Sequence, residues 1–235
     1  MRKRKTLQDL TIKDNFLFGA VMSVEENCRG FLEMVLGFPI AHVVVSREKS
    51  IIYHPEYKGV RLDIYAEDEN HTHYNVEMQV KKKAALGKRS RYYHSQMVME
   101  ALESGEDYET LPDTFVIFIC DFDPFDQKLY CYTFQNECRE NKSVKLGDGS
   151  CTIFLSTRGE NEEEVPPELV RFLKFVTADL KESEEDFQDR LVSQCQKTIR
   201  DIKTDREMGE RYMIFEEMLR EEKQEGREEG RLEAT

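Results

Sequence analysis

The sequence predicts an α/β domain followed by a helical extension, and three observations carry that prediction. Residues 60–81 alternate apolar and polar side chains on either side of a short polar run, the signature of two half-buried strands. Residues 114–120 form a nearly continuous apolar run, as expected of a strand buried on both faces. Segments 14–36 and 90–102 instead repeat their apolar residues at helical spacing, and beyond residue 158 only helical patterns remain.

Residues 1–5 carry four basic side chains and read as a loose arm. Within 14–36, Phe16, Phe18, Val21, Met22, Phe31, Leu32, Val35 and Leu36 make one helix or two short ones, stopped by Gly37 and Pro39. Residues 43–45 and 51–53 are one irregular strand or a pair, leading to the turn-prone His54-Pro55. In the central stretch Leu62 and Ile64 point one way while Arg61, Asp63 and Tyr65 point the other. Val76, Met78 and Val80 then oppose Asn75, Glu77, Gln79 and Lys81. Residues 81–91 hold six Lys or Arg and no acid, and the helix that follows turns Tyr93, Met97 and Ala101 inward. After the loop ended by Leu111-Pro112, the strand 114–120 runs into Asp121-Phe-Asp-Pro-Phe125. Residues 129–134 and 152–155 are short strands around a polar turn with Gly147-Asp-Gly149.

The composition shifts after residue 158. Glu160–Glu164 is acidic, and Pro166-Pro167 opens a helix carrying Leu169, Phe172, Leu173 and Phe175. Two more helical stretches, 184–202 and 205–225, have sparse apolar positions, and the Glu/Gly/Arg-rich end is a low-complexity helix or a frayed tail. The expected division is a domain over 1–158 and a helical extension over 159–235. That extension either contacts a second copy, giving a homo-oligomer, or ends as a solvated charged tail.

Composition narrows the function. A charged fraction of 34% beside a hydrophobic fraction of 39% fits a core with charged extensions. The net charge of −13 argues against a generic nucleic-acid coat, although a site can be locally basic on an acidic chain. No apolar run approaches the roughly 20 residues of a membrane span, and Met-Arg-Lys-Arg-Lys is followed by polar sequence rather than a signal segment. A cytoplasmic protein without a membrane partner is expected. The six cysteines show no Cys-x-x-Cys spacing, which disfavours a zinc site or a disulfide framework.

If residues 67–73 turn tightly, Asp63 comes close to opposite Glu77. Like charges facing each other across an antiparallel pair destabilise it by up to about 1 kcal/mol, so something must compensate. Either a hard divalent cation does so, since magnesium takes one or two carboxylates plus waters and a phosphate, or the acids lie on a solvated face.

The order helix, strand, strand pair bearing Asp then Glu-x-Gln, basic helix and buried strand resembles the core of the PD-(D/E)XK nuclease superfamily. Within it the chain resembles the Rpn (recombination-promoting nuclease) transposase family. The matching blocks are residues 11–18 and 31–37, then Gly59-Val-Arg-Leu-Asp63-Ile-Tyr-Ala, Tyr74-Asn-Val-Glu77-Met-Gln79 and Lys88-Arg-Ser-Arg-Tyr-Tyr93. Further blocks are residues 105–111 and 115–125, with weaker ones at Tyr132-Thr-Phe, Gly147-Asp-Gly and the tail. The resemblance implies a restriction-endonuclease-like mixed sheet flanked by helices, and a DNA endonuclease dependent on magnesium (or manganese). Asp63, Glu77 and the Met78 carbonyl would then hold the metal, with Asp14 of the first helix completing the site. Gln79 stands where the superfamily has lysine, as it does in this family, and glutamine orients water only through hydrogen bonds.

Lys81, two residues on, and Lys58, before the first acid, are candidates to restore the missing charge. Each is otherwise an exposed solubilising side chain, and Asp14 is otherwise a helix cap. Lys82, Lys83, Lys88, Arg89 and Arg91, with Tyr92 beside them, form the expected basic surface for the DNA backbone; alternatively their stems cover an apolar flank. His71 and His73 flank a turn without metal-ligand spacing, and Asp121 and Asp123 with Pro124 shape a turn. Neither a nucleophile elbow nor a phosphate-cradling glycine loop is present. A rival reading keeps the fold as a DNA-binding or assembly module without catalysis.

Overall fold

The computed structural model describes residues 5–51, 60–101 and 107–232. Residues 14–36 resolve into two helices, α1 (Asn15–Met22) and α2 (Glu25–Leu36). Every residue of α1 after its first is buried, so this helix is apolar all round. Gly37 ends α2 in the left-handed conformation (φ 75°), with its amide on the Glu33 carbonyl. One strand, β1 (Val43–Ile51), follows. Lys58 and the His54-Pro55 turn lie outside the described residues.

The central stretch forms the expected hairpin of β2 (Val60–Asp68) and β3 (His73–Gln79). Asp68 closes its turn by accepting the amides of Asn70 (2.8 Å) and Thr72 (2.9 Å) on one oxygen and the buried Tyr74 hydroxyl (2.7 Å) on the other. The next helix, α3 (Leu86–Ala101), starts four residues earlier than its apolar pattern suggests. Then come β4 (Thr114–Cys120), β5 (Cys131–Phe134) and β6 (Ser150–Ser156). Three long helices complete the chain: α4 (Pro167–Thr177), α5 (Arg190–Thr204) and α6 (Arg206–Leu232). α5 begins six residues later than expected because Asp189 caps it, accepting the Val192 amide at 3.0 Å.

The sheet is mixed, in the order β1-β2-β3-β4-β6-β5. β1, β2 and β3 are antiparallel neighbours, β3, β4 and β6 run parallel, and β5 returns antiparallel on the far edge. Parallel strands require crossovers, here α3 and the segment holding β5. Two cores result. The larger lies under α1, α2, α4 and α5 and takes Ile64, Val76, Met78, Ile117 and Ile119 from the sheet. Leu169, Phe172, Leu173, Phe175, Val192 and Cys195 join it, so the core extends past residue 158. The smaller lies under α3 and takes Leu62, Tyr65, Val116, Phe118 and Phe154.

Leu62 and Ile64 therefore fall on opposite sides of the sheet, not on one face as strict alternation predicts. The β1–β2 ladder also skips the pair that Asp63 would make with residue 48. Both strands leave the ladder together at this point without a change of register, since Arg47 pairs with Ile64 before it and Lys49 with Leu62 after it. Among the described residues, no helix is long and apolar enough to cross a membrane.

Candidate functional site

The β2–β3 ladder runs from Glu67 opposite His73 to Ile64 opposite Val76, and its last recorded pair lies one short of Asp63 and Glu77. Side chains take over where the ladder stops. Glu77 Oε1 accepts the Asp63 amide, and Asp63 Oδ2 accepts the Met78 amide, each at 3.3 Å. The two acids face each other as expected, but each is also bonded to the backbone of the opposite strand.

Glu77 is buried, with only 2% of its surface exposed. Two further groups hold it. Asn75 Nδ2 donates to Oε1 at 3.3 Å, and Arg89 Nη2 of α3 donates to Oε2 at 3.2 Å. The same guanidinium donates through Nη1 to Gln79 Oε1 at 3.3 Å and through Nε to the Tyr93 hydroxyl at 3.2 Å. Burial, and then repulsion from Asp63, hold the Glu77 carboxyl well above the usual carboxylate range; Arg89 opposes them. Asn75 is fully buried, and its Oδ1 has no hydrogen-bond partner.

This donor set suits a hard divalent cation. Two convergent carboxylates match the one or two that magnesium takes, and a carboxyl that burial keeps protonated can exchange its proton for metal. The orphaned Asn75 oxygen adds a neutral acceptor beside the pair. Among the described residues, no three His, Cys, Asp or Glu side chains converge on one point, so a closed protein cage is not on offer.

Several sequence-predicted residues fall elsewhere. Asp14 stands at the start of α1, yet its carboxylate accepts the Thr11 amide (2.8 Å) and pairs with Lys5 (2.8 Å), so it neither caps the helix nor joins the acids. β3 ends at Gln79, which leaves Lys81 exposed in the loop beyond rather than on the strand face. Met78 reaches the pair through its amide and buries its side chain in the larger core. Lys83, Lys88 and Arg91 are exposed, and Lys82 is exposed but paired with Asp126 at 2.9 Å. Tyr92 packs half-buried against the smaller core. Arg89 is the main correction, because it turns inward to Glu77 and Gln79 instead of outward with its basic neighbours. Its spacing of four from Tyr93 places both on one helix face, the signal that reading the segment as a uniform basic run passes over.

The remaining candidates are structural. His71 pairs with Glu67 at 2.6 Å, and His73 bonds the Tyr65 hydroxyl at 2.9 Å. Asp123 shapes the loop after β4, accepting the amides of Phe125 and Lys128. Asp121 ties that loop to Thr157 and to Thr177 at the end of α4.

A mixed sheet whose two motif strands part at an Asp and a Glu, with helices on both faces, defines the PD-(D/E)XK nuclease-like α/β class. The family model described as PD-(D/E)XK nuclease family transposase matches residues 12–229, and the chain belongs to that family. No curated protein and no solved structure gives a match.

Proposed function

We propose that this chain is a metal-dependent DNA endonuclease that hydrolyses phosphodiester bonds in the cytoplasm, in the service of recombination or mobile-element activity. One observation carries the reading. Arg89 bridges Glu77 and Gln79, bringing a permanent positive charge to the position where the superfamily's lysine is missing.

Asp63 and Glu77, with the Met78 carbonyl, are the groups to hold magnesium or manganese. When bound, such an ion lowers the pKa of a water and stabilises charge on the phosphate. The chain's own residues do the rest. Gln79 accepts from Arg89 through Oε1, which leaves its amide hydrogens to orient a water or a phosphate oxygen. Arg89 is steered by Tyr93 and places its charge where the oxyanion grows. Lys83, Lys88 and Arg91 offer exposed cations to the backbone, which makes binding salt-dependent and largely indifferent to sequence.

The test is nicking of supercoiled plasmid by the purified chain with magnesium or with chelator. Magnesium-dependent nicking that disappears in Asp63→Ala and Glu77→Ala is expected. Nicking that is absent from the unaltered chain, or undiminished in both variants, would sink the proposal.

A second reading rests on the same guanidinium. Arg89 already hydrogen-bonds Glu77, so the guanidinium can stand where a metal would, leaving a DNA-binding module without catalysis. That reading requires DNA binding to persist in Asp63→Ala while no condition yields nicking.

A further inference from the structure

Beyond the acid pair, α3 covers a second concavity. A cavity of about 630 Å³ opens between α3 and the β5–β6 edge of the sheet, a size typical of small-ligand sites. Its walls are tied together. The Ser90 and Thr152 hydroxyls share a hydrogen bond, and His94 reaches Thr114 through Nδ1 (2.7 Å) and Thr152 through Nε2 (3.0 Å). Burial holds His94 far below its ordinary pKa, at about 4, so its ring is neutral.

The rim is aromatic and open. Phe134 and Phe125 are 47% and 39% exposed, with ring centroids 5.1 Å apart, and both pack edge-on against Phe154 in the floor. Two large rings left in water beside a polar recess invite a flat partner. Asn136 and Asp148 bond each other at the same rim and present hydrogen-bonding groups. Arg91 also lines the cavity and makes no ion pair among the described residues.

Position links this cavity to the acids. Glu77, Phe118 and Phe154 are register partners across β3, β4 and β6. Two strand spacings of about 4.8 Å put Phe154 roughly 10 Å from Glu77. Arg89 leaves α3 toward Glu77, while Ser90, Arg91 and His94 leave it toward the cavity. A chain crossing the first turns of α3, over Lys88, meets both.

We infer that this cavity receives an unpaired nucleobase of the DNA strand, stacked on Phe134 and Phe125, with its phosphate on Arg91. The inference rests on the nuclease reading for its ligand and adds a substrate class, DNA with an unpaired nucleotide near the cut. Stacking on exposed aromatic rings is tolerant of base identity, so sequence preference is weak.

The test is equilibrium binding of the full chain, in chelator, to a fluorescently labelled single strand and to a blunt duplex of the same sequence. Phe134→Ala should weaken single-strand binding about tenfold, the effect of losing one base–aromatic stack, and change duplex binding less than about twofold. Phe134→Tyr keeps the ring and should restore the single-strand affinity. Thermal melts verify that each variant is folded. Equal loss on both probes, no loss on the single strand, or no restoration by tyrosine would overturn the inference. Because binding is read without metal, it can fail while plasmid nicking stands, and nicking can fail while it stands.

Discussion

Glu77 concentrates the chemistry of the molecule in one side chain. Burial and Asp63 raise its pKa, so the folded metal-free protein keeps a proton that the unfolded chain releases above about pH 4.3. The folded state binds more protons over that interval, so stability falls as pH rises from the unfolded pKa through the folded one. Melting in chelator between about pH 5 and pH 9 should show this decline, and Glu77→Gln should flatten it. Magnesium must displace the same proton, so its stabilising shift should grow with pH. Arg89 is the counterweight. Removing it leaves a buried acid without its cation, and Arg89→Ala should lower the plasmid-nicking rate by about a hundredfold, as loss of a charge-stabilising donor does elsewhere. Arg89→Lys restores a charge without the fork that reaches Glu77 and Gln79 together, and should recover only part of the rate.

At the scale of elements, the β2–β3 hairpin decides whether the acids meet. Asp68 holds its turn through two amides and the Tyr74 hydroxyl, and Tyr74 is fully buried. Asp68→Ala strands that hydroxyl, and leaving a buried donor unpaired costs about 1–3 kcal/mol. Denaturant unfolding should report a loss in that range, with nicking falling as register loosens; an unchanged midpoint would show that the turn does not depend on Asp68. The hairpin, its turn and its facing acids were legible in the alternation of residues 60–81. The interruption at Asp63 was not, because a period of two carries no mark of where a strand departs from its ladder. Lys81 illustrates the same limit, since alternation continues on paper past Gln79 where β3 has ended.

For the whole molecule, the helices after residue 158 matter in two ways. α4 and α5 close the larger core, while α6 begins by packing Tyr212 and Phe215 on Phe16 of α1, with centroids 5.2 and 5.5 Å away. Away from that contact, Met213, Ile214, Met218 and Leu219 of α6 are exposed. We propose that these residues meet their counterparts in a second copy. Light scattering should then give a chain ending at Thr204 the mass of a single protomer and the full chain a multiple of it. The same number of chains per particle in both would discredit the helix as the contact.

Local periodicity and motifs of adjacent residues were enough to reveal the α/β class, the buried strand 114–120, the hairpin and the two acids. The partners depend on packing between elements. That Arg89 turns to Glu77 rather than to solvent, and that Phe125 and Phe134 gather over Phe154, follow from how α3 and the strands stack. Charge and spacing say which side chains can pair; only packing, which turns one guanidinium inward and leaves its neighbours in water, says which ones do.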